Sequence, residues 1–74
     1  MYTLIGVRKV SFTDNGKQIT GTRLFATFRD EHISGLGCES FWVPSTVALP
    51  ELKSNSNFDV QYNKYGKVVG IVAL

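Results

Sequence analysis

The sequence has little of the chemistry that stabilises very small domains. Its 74 residues include one cysteine, Cys38, and one histidine, His32. One cysteine cannot form an intramolecular disulfide, and the pair cannot supply the three or four protein ligands of a zinc site. We therefore predict a fold with no disulfide, no metal and no cofactor.

Long apolar runs are also absent. The first ten residues reach the charges of Arg8 and Lys9 before any run long enough for a signal peptide or a membrane span. We therefore expect a cytoplasmic protein without a membrane partner. Hydrophobic residues at 43% and charged residues at 19% fit one folded domain, residues 1–74, which buries only about 60% of the surface of its unfolded chain.

The net charge is only +2, but the charges are segregated along the chain. Residues 1–29 hold five basic residues and one acidic residue, residues 30–59 hold one basic and five acidic residues, and residues 60–74 add two lysines. If the two ends of the chain meet in the fold, they form a positive face and leave an acidic one elsewhere.

Turn-forming residues divide the chain into short segments rich in β-branched and aromatic residues, without a sustained helical period. In segment 44–57, Pro50 limits any helix to about a turn. Three strands, this connection and a closing hairpin follow the order of an OB-type barrel, although SH3-like barrels are similar. We predict an all-β fold, a small five-stranded OB-like β-barrel with at most one short helical turn between strands three and four. The predicted strands are 2–13, 18–29, 38–43, 58–63 and 67–74.

Both predicted hairpin tips combine asparagine, glycine and a following lysine. In "NKYG", Asn63 and Gly66 predict a type I turn that ends in a left-handed glycine with a bulge. In "TDNG", the pair Asn15-Gly16 fits either the same loop or a two-residue type I′ turn. Lys17 and Lys67 follow the two turns.

Aromatic rings beside cations mark the predicted surface. If Leu24 and Ala26 point inward, the second strand presents Phe25 between Arg23 and Arg29, which is typical of a base-stacking platform. The alternative for Phe25 is a hydrophobic edge or a subunit contact.

Two further rings have open assignments. Tyr65 stands at a hairpin tip with little fold beneath it, so it either stacks on a base or packs on its own hairpin or a partner. Trp42 faces outward if Phe41 and Val43 are core, and the assignment is reversed if Cys38 and Trp42 are core.

Catalytic patterns are missing. Asp30, Glu31 and His32 are adjacent and lack the spacing of a metal site. The Gly-x-Gly at 35–37 has no following helix to hold a phosphate, and His32 is the only histidine that could activate Cys38 as a nucleophile. We predict that the protein is not an enzyme.

The chain resembles the small helix-destabilising, single-stranded DNA-binding proteins of filamentous phages and of related mobile elements of Gram-positive bacteria. The resemblance covers nearly the whole length and is carried by "VRKVSFT", "DNGKQITGT", "CESFWV" and "NFDVQYNKYGKV". It implies a dimerising OB-like barrel that coats single strands during replication in a bacterial host. It also implies a strand path along these residues: Arg23, Phe25, Tyr62, Lys64, Tyr65 and Lys67. The low net charge and the acidic middle block depart from that family.

We therefore expect a sequence-independent single-stranded DNA-binding protein acting in phage or plasmid replication, with RNA left open. The alternative is a small β-barrel interaction module that binds a peptide or a partner subunit through its aromatic face. The fifth strand, 67–74, is more apolar than one barrel face needs, which predicts a homodimer. The predicted nucleic-acid-binding residues are Arg8, Lys9, Lys17, Arg23, Phe25, Arg29, Trp42, Tyr62, Lys64, Tyr65 and Lys67.

Overall fold

The computed structural model describes residues 1–74 as five antiparallel strands without a helix. The strands form one sheet in the order β3-β2-β1-β4-β5. The predicted all-β fold with five strands is confirmed, and segment 45–56 consists of turns and irregular chain without a helix. The fold contains no helix with the length and apolarity that crossing a membrane requires. The strands are β1 Tyr2–Asp14, β2 Lys17–Phe28, β3 Gly37–Pro44, β4 Asn57–Tyr62 and β5 Val68–Ala73.

The sheet curls but is not closed into a barrel. Its edge strands, β3 and β5, come near each other without forming a hydrogen-bonded ladder. The physical reason lies in strand length, because β1 and β2 have 13 and 12 residues whereas β4 and β5 have six each. Only two residue pairs join β1 to β4, Tyr2 with Phe58 and Thr3 with Asn57. The predicted OB-like closure is therefore not confirmed.

The core lies on the concave side of the curled sheet, and every strand contributes to it. Tyr2 packs against it, with its ring centroid 4.7 Å from that of Phe41. Because Phe41 and Val43 are buried, Trp42 lies on the opposite side of β3, which selects the outward alternative for this residue. The buried side chains are Leu4, Leu24, Ala26, Phe41, Val43, Phe58 and Ile71.

A β-bulge in β1 decides which residues face outward beyond it. The register with β2 shifts between Leu4 and Gly6. Before the shift Leu4 pairs with the core residue Ala26, and after it Arg8 pairs with Arg23. The extra residue thus brings the even-numbered residues of β1 from the core side to the outer side.

The two hairpin turns differ in type. Asn15 and Gly16 both have positive φ, 51° and 77°, and Asp14 pairs with Lys17, so the first turn is the two-residue type I′ form. The last turn has the predicted type I form with a left-handed Gly66, whose N–H donates to the Asn63 carbonyl at 3.0 Å.

We predict that Gly21→Ala destabilises the protein through a steric effect. A Cβ on Gly21 would lie 2.6 Å from Cζ2 of Trp42 and 2.8 Å from the carbonyl oxygen of Val43. The indole must then move, and the free energy of unfolding should fall by about 1–3 kcal/mol in urea denaturation.

Gly6→Ala is the matched control for this substitution in the same sheet. Its Cβ would lie 3.6 Å from Phe25, an ordinary van der Waals distance, so the expected change is within about 0.5 kcal/mol. Equal losses in the two variants would contradict the steric account.

Candidate nucleic-acid interface

Three predicted site residues lie side by side on the surface opposite the core. Arg8 pairs with Arg23, and Arg23 pairs with Trp42, so the three side chains form a row across β1, β2 and β3. The Arg23 guanidinium carbon lies 5.8 Å from the centroid of the Trp42 ring, and Nη1 donates to Oγ of Ser40 at 3.3 Å. This side of the sheet is called the outer face, and the residues that define it are Arg8, Phe12, Arg23, Phe25, Ser40 and Trp42.

Trp42 is held in place from three directions. Its six-membered ring lies over Gly21, where a side chain would collide with it. The ring of Phe12 lies at a centroid distance of 6.3 Å, and Arg23 covers the indole within cation–π range. The indole is half-buried as a result, so its orientation is set before any ligand arrives.

A cleft of about 460 Å³ separates β3 from the β4–β5 hairpin. It occupies the gap that the missing β3–β5 ladder leaves, and Trp42 contributes to it as well as to the outer face. Lys67 comes from the hairpin, and Tyr62, which is 48% exposed, comes from the end of β4. This seam cleft, lined among others by Glu39, Phe41, Trp42, Tyr62 and Lys67, therefore continues the outer face around the edge of the sheet.

The hairpin tip beside the seam cleft presents an exposed ring with a cation. Tyr65 is 74% exposed, and Nζ of Lys64 lies 5.1 Å from its ring centroid. Oδ1 of Asn63 accepts the N–H groups of Tyr65 at 2.9 Å and of Lys67 at 3.0 Å, which fixes the turn. The side chain of Asn63 thus positions the backbone of Tyr65 at the tip and of Lys67, which lines the cleft.

The lysine and arginine side chains form no ion pairs with carboxylates. The two ion pairs in the structure are those of the N-terminal amine with Asp59 and of His32 with Glu31. None of the eight lysine and arginine side chains is therefore neutralised by a carboxylate. Anionic groups of a ligand would meet them without first breaking an ion pair.

Two tyrosines have raised pKa values: Tyr62, which lines the cleft, and Tyr2, which packs against the core. Burial raises the pKa of Tyr2, the charges of Glu39 and Asp59 raise it further, and a hydrogen bond from Tyr62 lowers it. Burial also raises the pKa of Tyr62, and Tyr2 and Glu39 add to the effect. Both hydroxyls are protonated and neutral at pH 7.

Several predicted residues lie apart from this surface. Lys9 pairs with Thr22, so its side chain projects from the side of the sheet opposite to that of Arg8. Lys17, at the first hairpin tip, lies six positions from Arg23 along β2, or about 20 Å. Arg29 lies six positions away in the opposite direction and lines a surface depression with Asp30 and Glu31.

Phe25 occupies a margin of the same outer face. It lies two positions from Arg23, is 37% exposed and covers Gly6. Its ring is therefore accessible on the side of Arg23 away from Trp42.

Three residues of the site were not anticipated from the sequence. Phe12 joins Trp42 because the bulge brings it to the outer face, and Ser40 joins through its hydrogen bond with Arg23. Glu39 belongs to the acidic block, yet it lines the seam cleft opposite Lys67. Alternation along β3 predicts that Ser40 lies on the same side as Trp42, two positions away. The position of Glu39 in the cleft depends on the fold of the whole chain and has no local sequence signal.

No family model, curated protein or solved structure matches this chain. No group of three or more His, Cys, Asp or Glu side chains is placed to hold a metal ion. Function is therefore inferred from the chemistry and geometry of the surface.

The raised tyrosine pKa values predict a loss of stability in alkali. A folded-state pKa above the ordinary 10.0 stabilises the fold below pH 10, and this contribution disappears as the pH rises through the folded value. The free energy of unfolding should therefore fall more steeply above pH 10 in the wild type than in the Tyr2→Phe/Tyr62→Phe variant. Urea denaturation across this pH range measures both, and identical pH profiles would contradict the prediction.

Proposed function

We propose that the protein binds single-stranded DNA without catalysing a reaction, and largely without reading its sequence. The observation that carries the proposal is the cation–π contact of Arg23 with Trp42, at the junction of the outer face and the seam cleft. Cations and accessible rings adjoin one another on both sides of this junction. The resemblance described from the sequence adds the setting, which is replication of phage or plasmid DNA in the cytoplasm of a bacterial host.

Unpaired DNA needs two kinds of contact, and this surface can supply both. Phosphates are attracted by cations that track the backbone, and bases stack on aromatic side chains for about 1–3 kcal/mol per base. Exposed Tyr65 and half-exposed Tyr62 are ring surfaces of this kind. Stacking tolerates every base, because all bases have a π-face, so such a surface binds without strong sequence preference. The proposed phosphate contacts are Arg8, Arg23, Lys64 and Lys67.

We further propose that the fold is an OB-like barrel in which β3 and β5 meet without a ladder. OB folds bind oligonucleotides over strands two and three and between the loops after strands one and four. Apart from Arg8 on β1, the residues invoked above lie on β2, on β3 and on the β4–β5 hairpin. This correspondence supports the fold and the function together.

Salt dependence and two arginine variants test the proposal. With about four phosphates neutralised, log K should fall with log salt at a slope near −3, and Arg23→Gln should weaken binding and reduce that slope by about 0.7. Arg29→Gln removes the same charge at the far end of β2 and should change neither quantity. Fluorescence of Trp42, the sole tryptophan, can follow titration with oligo-dT.

A second candidate function is favoured by the unpaired edge of β3 beside the aromatic cleft. An extended peptide could add to such an edge as a further strand. Absence of oligo-dT binding at low salt, or an affinity that salt does not change, would reject the DNA proposal. Those outcomes leave the interaction module as the remaining candidate.

We also propose that a second copy of the chain covers β5. This strand is an unpaired edge of the sheet, and Val69, Val72 and Leu74 are exposed along it. Packing of these apolar side chains against those of a second copy would remove them from water and leave the seam cleft open.

The dimer proposal predicts a mass change in light scattering at micromolar concentration. The wild type should be a dimer and Val72→Lys a monomer, because the lysine charge would be buried in the interface. Val7→Lys, at an exposed valine of β1, is the matched control and should remain dimeric. A monomeric wild type would remove the proposal.

A further inference from the structure

The seam cleft contains a carboxylate that general single-strand binding does not explain. Glu39 is exposed on the edge strand β3 and lines the cleft with Tyr62 and Lys67. It forms neither an ion pair nor a side-chain hydrogen bond. Its charge contributes to the raised pKa values of Tyr2 and Tyr62, so it acts on both phenols beside the cleft.

This charge determines which part of a nucleotide can enter, given the proposed DNA binding. A phosphate in the cleft would face the like charge of Glu39, whereas phosphates on the outer face meet Arg8 and Arg23. The uncharged base therefore suits the cleft better than the backbone does. A volume of about 460 Å³ is in the range of small-molecule sites, and Trp42 and Tyr62 provide ring surface within it.

Hydrogen-bond chemistry distinguishes the four bases at this carboxylate. An ionised carboxylate only accepts hydrogen bonds, and it binds best to two neighbouring donors. Guanine offers N1–H and N2–H side by side on its Watson–Crick edge. Adenine and cytosine offer one amino group beside an acceptor nitrogen, and thymine offers one N–H between two carbonyl oxygens. The guanine O6 acceptor lies on the other side of N1, where an ammonium group such as that of Lys67 is a suitable donor.

We propose that the seam cleft holds one unpaired guanine, whose N1–H and N2–H donate to the Glu39 carboxylate. One of the three N–H donors of Lys67 donates to O6, which leaves the other two for the phosphate at the rim of the cleft. The inference rests on the proposed DNA binding and deepens it. Most bases of a bound strand would stack without selection on the exposed rings, and one position per subunit would prefer guanine.

Oligo-dT with a single central substitution tests this inference. At fixed salt, the oligomer with one dG should bind about tenfold more tightly than plain oligo-dT, the discrimination expected of a bidentate contact. Deoxyinosine lacks the N2 amino group and should lose most of that gain. Glu39→Gln should abolish the preference for dG while binding plain oligo-dT at least as well, because a negative charge is removed.

Glu51→Gln is the matched control, since it removes an exposed carboxylate outside the strands. It should retain the preference for dG. Equal affinity of the wild type for all oligomers would overturn the guanine pocket and leave the DNA proposal standing. A preference that persists in Glu39→Gln would also overturn the pocket, whereas absence of binding to every oligomer would overturn both proposals.

Discussion

The packing of Trp42 on Gly21 is the contact on which the rest of the surface depends. The missing side chain at Gly21 lets the indole lie against β2, with Phe12 on one side and Arg23 above it. In this position the indole ring contacts the Arg23 guanidinium on one side and lines the seam cleft on another. A displaced indole would separate the arginines of the outer face from the aromatic and charged residues at the hairpin.

The open seam follows from the uneven lengths of the strands. The β4–β5 hairpin is attached to one end of β1 through two residue pairs, so it cannot align with β3 along its length. The fold therefore lacks hydrogen bonds between β3 and β5, although its core has only seven buried hydrophobic side chains. The same gap supplies the cleft, so the geometry that limits the core also creates the concave part of the candidate site.

Much of the fold could be predicted, because it depends on local chemistry. The β-branched segments, the apolar alternation through Leu24 and Ala26, and the asparagine–glycine turns all specify short-range structure. The side of β3 on which Trp42 lies could not be predicted, because both sides of this strand carry residues apolar enough for a core. Its orientation depends on Gly21, which is distant in sequence, lies on the neighbouring strand β2 and pairs with Pro44.

The composition of the site was harder to predict than its location. Arg8 rather than Lys9 joins Arg23 because one extra residue at the bulge reverses the alternation of β1. Alternation predicts Arg29 on the same side as Arg23, but the structure ends β2 at Phe28 and places Arg29 in the following loop. Glu39 reaches the cleft because the β4–β5 hairpin folds over the edge of β3, a long-range event that local patterns do not encode.

Backbone and indole NMR shifts during titration with oligo-dT test the central claim most directly. We expect the largest changes at the Trp42 indole N–H and at Arg23, Tyr62 and Lys67, with the loop 29–36 unaffected. Such a map would identify the junction of the outer face and the seam cleft as the strand path. Changes confined to the loop 29–36, or no changes at low salt, would contradict the account.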